Sequence, residues 1–260
     1  MTALQMISLP VDLRELRRIG ALHGLGADEG RALHHFLGET FGRGAIQPFR
    51  LMPGRNGARF ASLYGYTRRI EADLRQEARD TGLPETAGVF DLPHLAVKAM
   101  PEAWQEGRRL AFDIRIRPVK RLLRPLEGVT RETRRDTLRG RAVKPMGKGA
   151  ELDAYLVARV RAQPQGQQAG GDAFSREDVY RAWLAERLHG AILDPAATRM
   201  VSCERMNVLR GGEQIEAPDV IFHGELTISD PGAFLNTLAG GVGRHKAYGY
   251  GMLLLRPARK

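Results

Sequence analysis

The predicted order of strands and helices repeats once along the chain, and this repetition limits the possible folds more than any other feature. Apolar spacing and turn residues predict the order β-α-β-β-α-β in the first 101 residues. Asp12, followed three residues later by Glu15, is a capping signature for the first helix. The elements of this first pass are predicted at residues 3–9, 12–24, 28–41, 48–51, 59–66, 68–81 and 94–100, with two consecutive helices, 12–24 and 28–41, in the first helical position.

The second half of the chain follows the same order. Residues 109–118 alternate apolar with polar side chains, which predicts a half-buried strand. The later elements are predicted at residues 151–160, 175–188, 199–209, 219–229, 230–238 and 252–257. We therefore predict an α+β fold of two tandem ferredoxin-like (RRM-like) domains, at residues 1–101 and 102–260. The second domain is expected to carry a basic, largely helical insertion at about residues 120–172.

A glycine-rich run at residues 240–251 precedes the last predicted strand. It holds five glycines in twelve residues, together with three basic side chains and two tyrosines. Glycine lets backbone N–H groups approach an anion closely, and tyrosine stacks on bases. The run lacks Gly-Lys-Ser/Thr, so it is not a nucleotide P-loop. The alternative to a loop that binds RNA phosphates is a simple turn before the strand. We predict RNA contacts from Gly241, Gly243, Arg244, His245, Lys246 and Tyr248.

The positive charge of the chain is concentrated in its middle. The formal net charge is +10, and residues 117–148 hold eleven lysines and arginines against three acidic residues. A concentrated basic patch is typical of a nucleic-acid-binding protein, although a solvated loop has the same composition. The RNA contacts that we predict in and beside this stretch come from Arg115, Arg117, Lys120, Arg121, Arg134, Arg135, Arg139 and Arg141.

Other features exclude whole classes of protein. No apolar run reaches the roughly 20 residues that span a membrane, and no signal peptide is recognisable, so we expect a cytoplasmic protein. The single cysteine, Cys203, rules out an internal disulfide and a cysteine-based zinc site, and we expect it to be buried. The seven histidines are scattered without metal-ligand spacing, so we expect no metal and no other cofactor.

Several segments are similar to one known family. The run from Gly241 to Pro257 resembles the C-terminal signature of CRISPR repeat-processing endoribonucleases of the CasE type. Segments 32–37, 47–51, 115–119, 179–184 and 222–231 are similar to the same enzymes, so the resemblance covers nearly the whole chain. It implies tandem ferredoxin-like domains and metal-independent cleavage of CRISPR precursor RNA at the repeat hairpin. It also implies that the enzyme stays on its product and joins other subunits in an effector complex.

The resemblance also points to one catalytic residue. In CasE-type enzymes a Leu-His or Met-His pair on the first long helix carries the catalytic histidine, and Leu33-His34 matches that pair. Members of the family often have a tyrosine three residues before the histidine, where this chain has Arg31. That departure also fits the divergent type IV relatives, in which arginines would do more of the work. On a helix over residues 28–41, Arg31 and Gly38 share the flank of His34.

The implied reaction is attack of a ribose 2′-OH on the adjacent phosphorus, which leaves a 2′,3′-cyclic phosphate. His34 would be the general acid or base, and Arg31, or Arg244 with Lys246, would stabilise the phosphorane. Two alternatives remain open from the residues alone. One is a hairpin-binding subunit without activity, in which His34 lies at the core edge, and the other is a general basic RNA-binding protein.

Overall fold

The structure, a computed structural model, describes residues 3–25, 28–54, 58–83, 86–131, 144–162, 175–210 and 213–258 of the 260-residue chain. It confirms the α+β class, with two antiparallel sheets that each follow one of the predicted passes. No helix within the described ranges is long and apolar enough to cross a membrane.

The first sheet has four strands, β1 (Gln5–Asp12), β2 (Phe49–Met52), β3 (Phe60–Thr67) and β4 (Ala96–Ala99). Their order is β2-β3-β1-β4 and all pairs are antiparallel, which is the ferredoxin-like arrangement. Three helices cover this half, α1 (Leu13–Leu22), α2 (Glu29–Phe41) and α3 (Glu71–Thr81). The side chain of Asp12 accepts hydrogen bonds from the backbone of Arg14 and Glu15, as its capping signature predicts.

The second half opens with β5 (Arg109–Ile116) and continues into the insertion. The described part of the insertion contains β6 (Val119–Arg121), β7 (Leu126–Arg131), β8 (Lys144–Met146), β9 (Glu151–Asp153) and one helix, α4 (Ala154–Ala162). Four strands and one helix correct the prediction of a largely helical insertion for these residues. Pro118 and Pro125 break helices, and the β-branched Val129 and Thr130 favour strands.

The remaining elements complete the second sheet. They are α5 (Arg176–Ala185), β10 (Ala191–Leu193), β11 (Arg199–Arg210), β12 (Glu213–Ile228), α6 (Pro231–Gly240) and β13 (Leu253–Pro257). The strand order is β10-β12-β5-β13, with β11 also paired to β12. Because β5 and β13 are the first and last strands of this half, the sheet repeats the arrangement of the first one.

The hairpin of β11 and β12 extends beyond the sheet. Residues 220–227 of β12 pair with β5, whereas residues 213–219 pair only with β11. Cys203 on β11 pairs with Val220, where the hairpin leaves the sheet, and is exposed, which corrects the prediction that it is buried.

The cores of the two halves meet. Leu4, Tyr66 and Met100 of the first half belong to the same buried apolar cluster as Phe112 and Phe222 of the second. The Tyr66 hydroxyl donates a hydrogen bond of 2.8 Å to the backbone oxygen of Leu253 on β13. A shared core of this kind places α2 beside the glycine-rich run, because that run leads directly into β13.

Candidate active site

Helix α2 presents His34 beside its buried face. The buried residues of this helix recur at intervals of three and four and form one face: Ala32, Leu33, Phe36, Leu37, Thr40 and Phe41. The side chain of His34 lies beside this face and is exposed. The helix begins at Asp28, whose side chain accepts a hydrogen bond of 3.1 Å from the Arg31 backbone N–H. The imidazole of His34 lies edge-to-face on the ring of Tyr248, with ring centroids 5.2 Å apart.

Two arginines lie near His34 along the chain. Arg31 precedes His34 by one helical turn, and its guanidinium has no hydrogen-bond or ion-pair partner among the residues that the structure describes. Arg43 follows the helix, where Gly42 turns the chain back at φ 84°. Partial burial, together with the charges of His35 and Arg43, lowers the pKa of His34 below its ordinary value. A lowered pKa keeps the imidazole neutral near pH 7, which is the form that accepts a proton.

A small pocket opens next to His34, between the end of α2 and the segment that leads into β2. The lining residues of this pocket are His34, Leu37, Gly38, Gly42, Gly44, Ile46, Gln47 and Phe49. Three of them are glycines, which leave the backbone accessible in the pocket wall. The sequence placed Gly38 on the flank of His34, and the structure agrees. Arg43 and Gln47 were not predicted as site residues, since neither lies on a periodic element.

The two glycines predicted to contact RNA are occupied by contacts within the protein. The Gly241 N–H ends α6 by donating to the Thr237 oxygen at 2.8 Å. Gly243 has φ 77°, and a Cβ added there would lie 2.5 Å from the Trp183 ring. These glycines allow the loop to turn and to pack closely, and their contact with RNA phosphates stays a prediction.

The next two residues of the loop are held by an acid from the insertion. Arg244 Nε donates to one oxygen of Glu151 at 2.6 Å, and the other oxygen lies 3.0 Å from His245 Nε2. The His245 side chain is only 5% exposed, and this residue adopts φ 63°. In this structure His245 anchors the loop, and its contact with RNA stays a prediction. Arg244 is half exposed and keeps access to solvent, and Lys246 is partly exposed.

Arg115 and Arg117, for which RNA contacts are predicted, lie in an internal cluster in this structure. Their guanidinium groups lie over the Tyr250 ring at 4.7 and 4.5 Å, and Arg117 Nη2 donates to the Tyr250 hydroxyl at 2.8 Å. Arg115 also forms a two-point ion pair with Asp219. Burial opposes the charge of Arg115, but the bonds to Asp219 outweigh it and raise the pKa. Arg117 is 5% exposed in this structure, and the RNA contacts of both arginines stay predictions.

Of the basic insertion, the structure describes only part. Lys120 is partly exposed and Arg121 exposed, both on β6 beside β9. Arg134, Arg135, Arg139 and Arg141 lie outside the described residues. Within the described ranges, no group of three or more His, Cys, Asp or Glu side chains is arranged to hold a metal ion.

Comparison with known proteins agrees with this architecture. Residues 6–257 match the family described as CRISPR associated protein. The chain belongs to this family. Thermus thermophilus Cse3, bound to an RNA representing a pre-cleavage complex, is 20% identical, with a TM-score of 0.61 over 98% of this chain and 100% of that one. Cas6e from Escherichia coli str. K-12 is 19% identical, with a TM-score of 0.54 over 97% of this chain and 100% of that one.

A further structure gives the same fold. The CRISPR endoribonuclease Cse3 bound to a 19 nt RNA is 20% identical, with a TM-score of 0.61 over 98% of this chain and 100% of that chain. The comparison with curated proteins found no match. Together, the family match and these likenesses confirm the tandem ferredoxin-like fold and the identification of the family made from the sequence.

Proposed function

We propose that this CRISPR-associated protein is a metal-independent endoribonuclease that cuts CRISPR precursor RNA at the repeat hairpin. The observation that carries the proposal is the exposed His34, set between Arg31 and Arg43 and against the glycine-rich loop. Its solved structural relatives include Cse3 bound to an RNA in a pre-cleavage complex. The mature crRNA stays bound, and the protein joins other subunits of the effector complex.

The reaction needs one group that moves a proton at near-neutral pH. Neutral His34 accepts the proton of the ribose 2′-OH as the oxygen attacks the adjacent phosphorus. The new O2′–P bond forms as the P–O5′ bond breaks, and the imidazolium returns the proton to the departing 5′-oxygen. The products are a 2′,3′-cyclic phosphate and a 5′-hydroxyl. The lowered pKa of His34 favours the proton-accepting form in the free enzyme.

Negative charge that develops on the phosphate needs a partner. Arg31 has no partner among the described residues, so its guanidinium is free to bind a phosphate oxygen. Arg43 is exposed and close enough for its charge to act on His34. We assign the stabilisation of the phosphorane to these two arginines.

RNA binding is assigned to exposed cations around the glycine-rich loop and the insertion. Arg244, Lys246, Lys120 and Arg121 retain solvent access. Charged contacts to phosphates make binding fall steeply with salt. In this proposal residues 1–101 form the domain that carries the catalytic helix, and residues 102–260 form the domain that supplies the loop and the insertion.

The test compares cleavage of the cognate repeat hairpin in EDTA by the wild type, His34→Ala and His94→Ala, with binding measured in parallel. His94 is an exposed histidine paired with Asp91 at 2.8 Å on a different segment, so it is the matched control. We expect His34→Ala to lose at least 100-fold in rate with binding retained, and His94→Ala to cleave normally. Tight binding without cleavage by the wild type would instead establish the non-catalytic subunit.

A further inference from the structure

The imidazole of His34 is flanked by an aromatic ring from the other half of the chain. Tyr248 lies in the short 3-10 helix Lys246–Tyr248, which packs against α2. Its ring meets that of His34 at an interplanar angle of 66° and a centroid distance of 5.2 Å. Edge-to-face packing of this kind favours one orientation of the imidazole over others.

Tyr248 is itself in contact with His245, which is bound by Glu151. The His245 ring lies 6.4 Å from the Tyr248 ring, and Glu151 binds His245 on the side of the insertion. The Tyr248 N–H donates to the His245 oxygen at 2.9 Å. A continuous series of contacts therefore leads from β9 through the loop to the imidazole on α2.

Gly30 allows this close approach. A Cβ at residue 30 would lie 2.5 Å from the Tyr248 backbone oxygen and 3.2 Å from its carbon. Backbone atoms cannot yield as the end of a flexible side chain does. The second residue of α2 must therefore be glycine for the loop to sit where it does.

We propose that Tyr248 is a positioning residue for His34, which fixes the orientation of the imidazole and shields one of its faces from water. The inference extends the function proposed above for His34 and rests on it. It replaces the sequence-based expectation that Tyr248 stacks on an RNA base, because in this structure the ring packs on His34 and is only partly exposed.

The groups around His34 determine its pKa, which is the quantity that tests this proposal. The charges of His35, on the same helix, and of Arg43, on the following segment, act on His34, and Arg31 lies one helical turn before it. The Tyr248 ring packs on His34 from the loop. Burial is the largest cause of the lowered pKa of His34. Removing the Tyr248 ring admits water and leaves the three charged neighbours in place, so the pKa of His34 rises towards its ordinary value.

The first experiment is an NMR titration of the His34 imidazole in the RNA-free protein, with His34→Ala to assign the signal. We expect Tyr248→Ala to raise the pKa of His34 and Tyr248→Phe, which keeps the ring, to leave it unchanged. An equal pKa of His34 in the wild type, Tyr248→Ala and Tyr248→Phe would overturn the inference. Because this measurement uses no RNA, it stands whether or not the protein cleaves.

The second experiment measures single-turnover cleavage of the repeat hairpin against pH, and binding of a hairpin with a 2′-deoxy scissile nucleotide. A positioning role predicts that Tyr248→Ala slows cleavage by about 10–100-fold and moves the acid limb to higher pH, with binding unchanged. Tyr248→Phe is expected to stay within about threefold of wild type. A base-stacking role predicts the opposite, namely binding weakened by roughly tenfold or more with the acid limb unmoved.

Gly30→Ala gives a test that leaves every polar side chain of the site intact. The added methyl group pushes the loop away from α2, and we expect the same upward shift in the pKa of His34 as in Tyr248→Ala. Gly20→Ala in α1 is the matched control, because its Cβ would meet only the Ala32 Cβ at an ordinary 3.4 Å. If Gly30→Ala folds and titrates like Gly20→Ala, Tyr248 does not position His34.

Discussion

The ion pair between Arg50 and Asp113 joins the two sheets, and its removal should be costly. Arg50 is on β2 and Asp113 on β5, with 3.1 Å between Nη2 and Oδ1. Their side chains are 4% and 16% exposed. Burial lowers the pKa of Arg50, and the charge of Asp113 opposes this shift. Asp113→Asn keeps the shape of the side chain but removes the carboxylate that pairs with the buried guanidinium of Arg50, and leaves only the charge of Asp219 to favour it.

The expected loss follows from the burial of the pair. Two unit charges at this separation attract by about 5 kcal/mol at an effective dielectric constant of about 20. Breaking a buried pair by removing one partner costs about 3–5 kcal/mol. For a chain of this length, a loss of that size lowers the melting temperature by about 6–20 °C. Guanidinium denaturation and calorimetry of wild type and Asp113→Asn measure both quantities.

Two controls make the result interpretable. The pair between Arg205 and Glu216 also crosses two strands, at 3.3 Å, but its side chains are 63% and 55% exposed. We expect Glu216→Gln to cost under about 1 kcal/mol. The double variant Arg50→Met/Asp113→Asn removes both charges and should be more stable than Asp113→Asn alone. The reasoning is refuted if Asp113→Asn loses no more stability than Glu216→Gln.

Three other predictions concern single side chains. Glu151→Gln should lower stability by about 1–3 kcal/mol in urea denaturation, because the buried His245 loses its carboxylate partner; equal stability would contradict this. Asp12→Ala should cost about 1–2 kcal/mol at pH 7 as a lost helix cap. Burial raises the pKa of Asp12, but the hydrogen bonds from Glu15 and Arg59 outweigh it, and the pKa is lowered. The difference in stability between wild type and Asp12→Ala should therefore shrink as pH falls below about 4 in the same assay. Arg43→Gln should slow hairpin cleavage and move the acid limb of its pH profile upward, since a positive neighbour of His34 is lost; an unmoved limb would exclude Arg43 from the site.

Local patterns were sufficient to predict the elements that position His34. The apolar spacing of α2 sets the face on which His34 lies, and this spacing is read within the fourteen residues 28–41. The strand order of each sheet followed from the same periodicities, because the β-α-β-β-α-β order allows few arrangements.

The destination of the basic side chains was not predictable in the same way. Arg115 and Arg117 alternate with buried isoleucines, so the sequence indicates a solvent-facing side, but Tyr250 covers that side. Glu151 meets Arg244 from a different region of the chain. Such pairs form between segments that are distant in sequence, so the local spacing of apolar residues does not predict them. A surplus of arginine therefore indicated a charged protein without telling which arginines face solvent.

The contact between His34 and Tyr248 joins residues 214 positions apart. At 5–20 residues per second, a ribosome makes the second of them about 10–40 s after the first. A nascent chain thus carries its histidine well before the ring that orients it. If Tyr248 positions His34 as proposed, the chain reaches its full cleavage rate only late in synthesis, once the loop that carries Tyr248 has been made.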